Sequence, residues 1–191
     1  DGDQDLDLLV GGIGSGLRLF TNNGSGHFLE STNSGLDRTT SPASLALADL
    51  DRDGDLDLYC ANYIDVMYTA DPTTKYALGR NNGRMQVTSV NGRATTEPQL
   101  QNRFIVSAEG KLRELPEVDG LYLNDGKGHF TAIQSRRGTF QDSSGKPVQA
   151  PRDWSLAVAF RDLNQDDWPD LYVCSDNATP DRLWLNDQQG G

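Results

Sequence analysis

The chain has 191 residues, and its 28 acidic and 17 basic residues give a net charge of −11. This acidity argues against nucleic-acid binding, which requires a basic surface. No apolar stretch approaches the ~18 residues of a membrane span, and two cysteines are too few for a disulfide scaffold.

Two short motifs recur along the chain. The first is an acidic loop, complete at 49–57 (DLDRDGDLD), shortened at 1–7 and varied at 162–170. The second is a glycine-rich segment at 19–28 and 121–130, which begins again at 183–187. Asp7 and Asp57 end two copies of the loop and lie 50 residues apart, within the range of propeller repeats.

Each repeat is predicted to be β structure. Apolar runs precede the acidic loop at 44–48 and 155–160, and others follow it at 56–61 and 171–174. Short apolar runs bounded by turns are typical of strands buried on both faces. Asn23-Gly24 and Asp125-Gly126 predict hairpin turns between a third and a fourth strand. Four antiparallel strands per repeat make a propeller blade.

The predicted fold is therefore all-β: a β-propeller fragment of about three four-stranded blades with one long insertion. The blades span about 1–31, 43–134 and 154–191, and the insertion about 63–118. The chain begins at Asp1 without Met, and we expect it to be part of a longer protein. An aromatic residue holds one repeat position in each blade, and we expect it to pack between neighbouring blades: Phe20, Tyr122 and Trp184.

The acidic loops are the candidate metal sites. Alternate side chains of a tight loop can point their oxygens at one centre, and several anionic oxygens select Ca²⁺. Mg²⁺ fits less well because it keeps its waters and a strict octahedron. Each loop is predicted to supply side-chain oxygens from positions 1, 3, 5 and 9 and a backbone carbonyl from position 7. The side-chain ligands are Asp49, Asp51, Asp53 and Asp57 in the second loop, Asp162, Asn164, Asp166 and Asp170 in the third, and Asp1, Asp3 and Asp7 in the first, which lacks position 1. The backbone carbonyls are those of Asp55, Trp168 and Asp5.

Two other interpretations of these loops compete with a Ca²⁺ site. An EF-hand needs a Glu at position 12 and flanking helices, whereas position 12 is Val10, Cys60 or Val173 and the flanks are β-like. Acidic surface turns without metal are the plainer alternative, which three copies in register disfavour. In the third loop Asn164 lowers the charge and Asp167 replaces the turn glycine, so weaker binding is expected there.

The sequence contains few residues that could form a catalytic site. The two histidines, His27 and His129, hold the same repeat position, which is typical of a structural residue. A Ser-His-Asp or Cys-His arrangement would have no other base to use. Paired carboxylates could serve glycoside hydrolysis, but the dense ones are assigned to the metal loops. The sequence does not decide whether the protein is an enzyme, and it favours a non-catalytic role.

The insertion is the least repetitive segment. Between Lys75 and Arg93 it also holds Arg80 and Arg84, with no acidic residue among them. These basic residues could bind an anionic partner such as an acidic glycan, or they could simply be solvated in a surface loop, and both interpretations stay open. Asn91-Gly92 predicts a small hairpin in the same segment. Cys60 and Cys174 hold nearly equivalent strand positions, and we interpret them as buried apolar residues rather than a disulfide.

The loop at 49–58 followed by LYLNDGKGHF at 121–130 resembles the FG-GAP/VCBS repeat. Proteins of that family form integrin-α-type seven-bladed propellers with Ca²⁺ in the hairpin loops of some blades. The stretches 168–173 and 180–187 are similar to a secreted bacterial branch related to cartilage acidic protein, whose members often carry an ASPIC/UnbV domain that is not in this sequence. The resemblance covers everything except about 63–118.

The resemblance implies a secreted or surface-exposed (extracellular or periplasmic) scaffold for recognition or cell adhesion. Its Ca²⁺ would be structural, and its partner a protein or glycan of the cell surface or matrix. The alternative is a carbohydrate-active propeller, either a lectin or a polysaccharide lyase, that uses the insertion. The three loops hold 13 of the 28 acidic residues, so the net charge indicates a metal rather than a generally acidic surface.

Overall fold

The computed structural model describes residues 1–176 and 179–188, and these form β structure with one short 3₁₀ turn at Tyr68–Ala70. The strands, in chain order, are β1 Leu8–Gly12, β2 Gly16–Asn22, β3 Phe28–Ser31, β4 Pro42–Ala48, β5 Asp57–Asn62, β6 Tyr76–Asn81, β7 Arg84–Val90, β8 Arg93–Ala94, β9 Phe104–Val106, β10 Leu112–Glu114, β11 Gly120–Asn124, β12 Phe130–Ala132, β13 Phe140–Gln141, β14 Pro147–Val148, β15 Ser155–Arg161, β16 Asp170–Ser175 and β17 Arg182–Trp184. The all-β prediction is confirmed. No helix among the described residues has the length and apolarity needed to cross a membrane.

Three antiparallel sheets follow the sequence repeats. Sheet I has the order β1-β2-β3, sheet II the order β4-β5-β11-β12, and sheet III the order β15-β16-β17. The glycine-rich segments connect β2 to β3 and β11 to β12, as predicted. Gly24 and Gly126 have φ of +75° and +70° there, a conformation that L side chains rarely adopt. Sheet II is a complete four-stranded meander, in which β11 pairs with β5 although 57 residues separate Asn62 from Gly120.

Two apolar cores hold the three sheets together. The first lies between sheets I and II and is built from Leu17, Leu19, Leu36, Leu58, Cys60, Tyr122 and Phe130. The second lies between sheets II and III and is built from Tyr59, Ala61, Leu121, Ile133, Phe140, Leu171 and Val173, with Trp184 packed against it. Tyr122 and Trp184 thus pack between sheets as predicted. Each buried side chain of this size contributes about 1.5–3 kcal/mol.

The prediction that the strands before the acidic loops are buried on both faces is wrong. All six residues of β5 are buried, whereas β4 and β15 each begin with one buried residue and are otherwise exposed or partly buried. Both are end strands of their sheets, with a ladder partner on one side only. They contact each other, and the Val158 N–H donates to Ser44 Oγ at 3.3 Å.

A buried carboxylate also joins sheets II and III. Asp119 is 1 % exposed and accepts hydrogen bonds from the Tyr59 hydroxyl (2.8 Å), the Ser155 hydroxyl (2.8 Å) and the Asn62 N–H (2.7 Å). Burial raises the pKa of Asp119 to about 7, although these three hydrogen bonds oppose the rise. The group therefore connects strand β5 to strand β15 through polar contacts inside the protein.

Residues 66–117 form a separate compact unit, which we call the insertion unit, while residues 1–65 and 118–191 form the other. The insertion unit contains the sheet β6-β7-β8 and the hairpin β9-β10 around a small core of Val87, Val90 and Leu100. The hairpin predicted at Asn91-Gly92 connects β7 to β8. Arg103 is buried there, donates to Glu114 at 2.9 Å and lies 4.9 Å from the centroid of the Tyr68 ring.

Both cysteines are free thiols, as predicted. Cys60 is buried in the first core, whereas Cys174 is only partly buried. The interpretation of both as buried apolar residues therefore holds for Cys60 alone.

Candidate metal centre

The three acidic loops share one backbone conformation despite their different residues. Loop positions 4 and 6 have positive φ in every copy. At position 4 these residues are Gly2 (+86°), Arg52 (+60°) and Gln165 (+65°), and at position 6 they are Gln4 (+75°), Gly54 (+99°) and Asp167 (+68°). Four of the six are not glycine, although a side chain in this region is uncommon and carries a strain cost. Such a conformation persists in non-glycine residues only where surrounding contacts impose it.

The carboxylate at position 9 supplies one such contact. Asp57 is fully buried at the start of β5, and its two oxygens accept hydrogen bonds from the Leu50 N–H (2.8 Å) and the Asn124 N–H (2.9 Å). Asp170 repeats the arrangement with the Leu163 N–H and the Asn186 N–H, both at 2.9 Å. This carboxylate therefore joins the start of its own loop to the third strand of its sheet.

Sequence reasoning missed the asparagine partners of these carboxylates. Asn22 and Asn124 end strands β2 and β11, Asn186 follows strand β17, and each donates its backbone N–H to the position-9 aspartate of its sheet. The side-chain oxygens of Asn22 and Asn124 also accept the N–H of the next residue at 2.9 Å. The recurrence of Asn in register within the glycine-rich motif was the signal that could have found them.

The loop at 49–57 brings three carboxylates together. One oxygen each of Asp49, Asp51 and Asp57 lie within 4.8 Å of one another. Asp49 also accepts the backbone N–H groups of Asp53 (3.1 Å) and Gly54 (3.2 Å), which close the loop around it. Oδ1 of Asp51 is buried and has no hydrogen-bond partner. A buried carboxylate oxygen without a donor is costly, and a cation is one group that would satisfy it.

The pKa values of two carboxylates in this cluster, Asp57 and Asp51, are raised. Burial raises the pKa of Asp57 to about 6, and the charges of Asp51 and Asp53 add to the rise against the two backbone hydrogen bonds. Burial and the nearby charges of Asp53 and Asp49 likewise raise the pKa of Asp51. Like charges held this close favour either a proton or a cation between them.

The other predicted ligands are arranged differently. Asp53 accepts the Asp55 N–H at 3.0 Å, and the Asp55 carboxylate lies against Gly126, where a Cβ would meet its Oδ2 at 2.3 Å. A side chain at residue 126 would therefore displace the Asp55 carboxylate, and the φ of +70° at this position also favours glycine. Among the described residues, neither Asp53 nor Asp55 belongs to a group of three acidic ligands within this distance.

The loops at 1–7 and 162–170 form no such three-carboxylate group within the described part of the chain. In the first, the ammonium group of Asp1 lies 2.7 Å from Asp7 Oδ2, Asp3 accepts the Asp5 N–H at 3.2 Å, and Oδ1 of Asp5 is buried without a partner.

In the third loop, Asp162 accepts three backbone N–H groups of its own loop, from Gln165, Asp166 and Asp167. The Asn164 amide donates to Asp166 at 2.9 Å, in the place where the second loop has Asp51. Hydrogen bonds from the Trp168 N–H, from the Gln188 amide beyond the loop and from the Asn164 amide lower the pKa of Asp166.

An arginine joins the second and third loops. The Arg52 guanidinium donates to the Asp167 carbonyl at 2.6 Å and lies 4.2 Å from the centroid of the Trp168 ring. Asn186 adds a second link, since its amide donates to the Leu50 carbonyl at 3.0 Å. Trp168 was predicted from its backbone carbonyl alone, and its side chain provides this cation–π contact.

Residues 1–60 match the family model described as the FG-GAP-like repeat. The chain contains an FG-GAP-like repeat. The matched region includes sheet I, strand β4 and the complete Asp49–Asp51–Asp57 cluster. No curated protein matches the chain. The finer resemblance, to the branch related to cartilage acidic protein, stays a prediction.

His27 and His129, at equivalent positions of the glycine-rich segments, lie on the surface. His27 Nδ1 lies 3.2 Å from Ser25 Oγ, and His129 Nδ1 lies 3.0 Å from the carbonyl of Asn33. His27 thus contacts its own hairpin turn, and His129 contacts the linker between β3 and β4.

Proposed function

We propose that this FG-GAP repeat chain is a Ca²⁺-stabilised propeller scaffold for recognition or adhesion outside the cell. The observation that carries the proposal is the cluster of Asp49, Asp51 and Asp57 within 4.8 Å, with Asp51 Oδ1 buried and unpartnered. An all-oxygen, anionic donor set of this kind suits a hard cation and favours Ca²⁺ over softer metals.

The residues that would hold the ion are those at alternate loop positions. Asp49, Asp51, Asp53 and Asp57 would supply carboxylate oxygens, and Asp55 a backbone carbonyl. The ion's contribution is positive charge, which offsets the repulsion among these groups. Because Asp57 is also bonded to Leu50 and Asn124, a ligand at this loop would tie β4, β5 and β11 together.

The proposed extracellular location follows from the Ca²⁺ affinity expected of such a loop. Extracellular Ca²⁺ modules bind with Kd of about 10⁻⁴ to 10⁻³ M. Such sites fill at extracellular calcium levels and stay empty in the cytosol. A structural metal of this strength therefore serves a scaffold that works outside the cell, on a partner that is a surface or matrix protein or glycan.

Isothermal titration calorimetry of the chain with CaCl₂ tests the proposal. We expect saturable binding in this affinity range, which Asp49→Ala weakens by tenfold or more. Asp142→Ala is the matched control, because Asp142 lies in an exposed turn outside the three loops and accepts only local hydrogen bonds. Unchanged calcium binding in Asp49→Ala would overturn the assignment of the loop.

One observation favours a second candidate, the recognition of an acidic glycan by the insertion unit. That unit has seven basic and five acidic residues, a net charge of +2, whereas the rest of the chain has ten basic and 23 acidic residues, a net charge of −13. Lys75, Arg80 and Arg84 are exposed on or before the β6–β7 hairpin. A cationic surface on an otherwise acidic protein is the expected feature of a polyanion-binding segment.

The two candidates separate on an array of neutral and acidic polysaccharides. Glycan recognition predicts retention on acidic chains that falls with salt and is lost in Arg80→Glu/Arg84→Glu. The matched control is Arg136→Glu/Arg137→Glu, a pair of exposed arginines outside the insertion unit. Conversion of the polysaccharide to shorter, unsaturated products would identify a lyase. Absence of retention would leave protein adhesion as the role of the scaffold.

A further inference from the structure

The chain contains three Asn-Gly pairs, and all three lie in hairpin turns. They are Asn23-Gly24 between β2 and β3, Asn82-Gly83 between β6 and β7, and Asn91-Gly92 between β7 and β8. Both residues of each pair are exposed. Asparagine is a chemically labile residue, and a glycine after it has no side chain to hinder attack of its backbone nitrogen on the asparagine amide. Each pair is therefore a place where the chain could modify itself.

The pairs at 82–83 and 91–92 have the same local sequence and the same turn. Both belong to the tripeptide Asn-Gly-Arg, and both fill a two-residue turn, closed by Asn81 opposite Arg84 and by Val90 opposite Arg93. Their φ angles are +49° and +79° in the first pair and +50° and +82° in the second, as in a type I′ turn. At both glycines the space that a Cβ would fill is open. Exposure and backbone conformation thus do not distinguish the two sites.

The hydrogen bonds of the three asparagine side chains differ. Asn91 Oδ1 accepts the Lys75 N–H at 2.8 Å, and the Asn91 N–H donates to the Lys75 carbonyl at 2.8 Å. Asn23 Oδ1 accepts the Ser25 N–H at 3.0 Å and the Ser25 hydroxyl at 2.6 Å. The side chain of Asn82 makes no hydrogen bond to any residue that the structure describes. Two of the three amides are therefore fixed in place, and that of Asn82 is not.

The charges near the two Asn-Gly-Arg sites differ as well. Arg93 forms an ion pair with Glu97 at 2.8 Å. Arg80 and Arg84, each two residues from Asn82, have no ion pair within the described part of the chain. A positive charge without a partner favours the deprotonated form of a nearby group, here the backbone nitrogen that attacks. The tip of the β6–β7 hairpin thus combines a free amide with charges that promote attack on it.

We propose that Asn82 is a self-modification site, at which the side-chain amide is lost as ammonia. The backbone nitrogen of Gly83 gives up its proton and bonds to Cγ of Asn82. The bond from Cγ to the amide nitrogen breaks, and that nitrogen leaves with the proton as ammonia. The resulting succinimide ring takes up one water molecule. Opening at Cγ gives aspartate, and opening at the backbone carbonyl carbon gives isoaspartate, in which the chain continues through the former side chain.

Both products change the hairpin tip. Each carries a carboxylate in place of the neutral amide, which lowers the net charge of the insertion unit from +2 to +1. Isoaspartate also adds one carbon to the backbone of a two-residue turn, and this disturbs the pairing of Asn81 with Arg84. The modification therefore alters both the charge and the shape of the basic hairpin.

The contacts of Lys75 determine the relative rates. In a left-handed residue the following nitrogen points away from the side chain, so the turn must open before the ring can close. Asn82 needs only its own turn to open, whereas Asn91 must also break both hydrogen bonds with Lys75. Loss of two hydrogen bonds slows a reaction by about tenfold or more. Asn82 should therefore react at least about tenfold faster than Asn91.

Peptide mapping by mass spectrometry tests the proposal on the whole 191-residue chain, incubated at neutral pH and physiological temperature. Deamidation changes the mass of the peptide that contains the site, and electron-transfer fragmentation separates isoaspartate from aspartate. We expect Asn82 to convert first, with isoaspartate among its products, and Asn91 and Asn23 to follow much more slowly. Equal rates at Asn82 and Asn91, or faster conversion of Asn91, would overturn the proposal.

Two controls separate the structure from the local sequence. In concentrated urea the contacts of Lys75 are lost, so Asn91 should react about as fast as Asn82, which has the same tripeptide. A rate difference that persists in urea would overturn the role given to Lys75. Asn82→Gln keeps an amide at the exposed tip but closes the larger ring slowly. Its intact mass should stay constant while that of the parent changes, and a change at the parent's rate would overturn the assignment to Asn82.

Discussion

The substitution Asp51→Asn tests how much the repulsion among the acidic residues of the 49–57 loop costs the folded protein. Asp51 has one buried oxygen without a partner, and Asn occupies the same loop position at residue 164. Two unit charges 4.8 Å apart repel by about 3.5 kcal/mol at an effective dielectric constant of about 20 and by about 0.9 kcal/mol in water. Because Asp49 and Asp51 are partly exposed, the lower figure applies more closely. Without calcium, Asp51→Asn should therefore stabilise the protein by about 1–2 kcal/mol.

In calcium the same substitution should lose part of the stabilisation that the ion provides, because it would remove a proposed ligand, and this loss should offset most of the gain seen without calcium. At 10 mM Ca²⁺ a site with a Kd of about 10⁻⁴ M stabilises the folded state by about 2.7 kcal/mol, and a tenfold loss of affinity lowers this to about 1.4 kcal/mol. For a chain of this size 1 kcal/mol shifts Tm by about 2–4 °C. The parent should gain about 5–11 °C from calcium, and Asp51→Asn about half of that.

Thermal unfolding followed by circular dichroism measures both effects, in 10 mM CaCl₂ and in EDTA at matched ionic strength. MgCl₂ serves as the ion control, and Asp142→Asn as the control for loss of an acidic residue elsewhere. A parent protein with the same Tm in both buffers would refute the structural role of the metal. A variant with a lower Tm in EDTA and an undiminished calcium gain would refute the charge argument for Asp51.

Three further predictions follow from the same contacts. Asn164→Asp should strengthen calcium binding at the third loop, seen by calorimetry as a second or tighter site; an unchanged isotherm would contradict this. Calcium affinity should fall about tenfold from pH 7 to pH 5, because Asp57, with a pKa of about 6 before calcium binds, must lose its proton; equal affinities at the two pH values would contradict this. Asp119 has a folded-state pKa of about 7, above its unfolded value, so its contribution to stability is present below pH 4 and is lost as the pH rises to about 7. In EDTA, urea unfolding should therefore show the parent losing stability relative to Asp119→Asn over that range, and parallel pH profiles would contradict the assignment.

The sequence predicted the repeats well because their signals are local. Turn glycines and alternating acids act over a few residues, so the hairpin at Asp125-Gly126 and the loop after β4 could be recognised without a structure. The complete meander of sheet II could be expected for the same reason, since its strands recur in the other repeats.

The missed features depend on residues far apart in the chain. Arg52 and Trp168 belong to different loops, and only the packing of sheet II beside sheet III brings them together. Asp119 was overlooked because nothing in its local sequence indicates that Tyr59 and Ser155 will surround it. The half-exposed faces of β4 and β15 likewise depend on their position at the end of a sheet, which an apolar run does not reveal.

A comparison of the loops also indicates what the proposed metal would do. Asn164 and Asp167 remove a ligand charge and the turn glycine from the third loop, yet its backbone has the same left-handed positions as the loop containing Arg52 and Gly54. Both loops have an aspartate at position 1 that accepts the backbone N–H groups of positions 5 and 6, and a buried aspartate at position 9 with two backbone donors. Hydrogen bonds to these two aspartates therefore account for the loop shape, and calcium would act mainly by relieving the repulsion among the acids around it. We therefore expect calcium to raise the stability of the folded protein by offsetting the charges around Asp51, while the backbone of the loop keeps the same conformation.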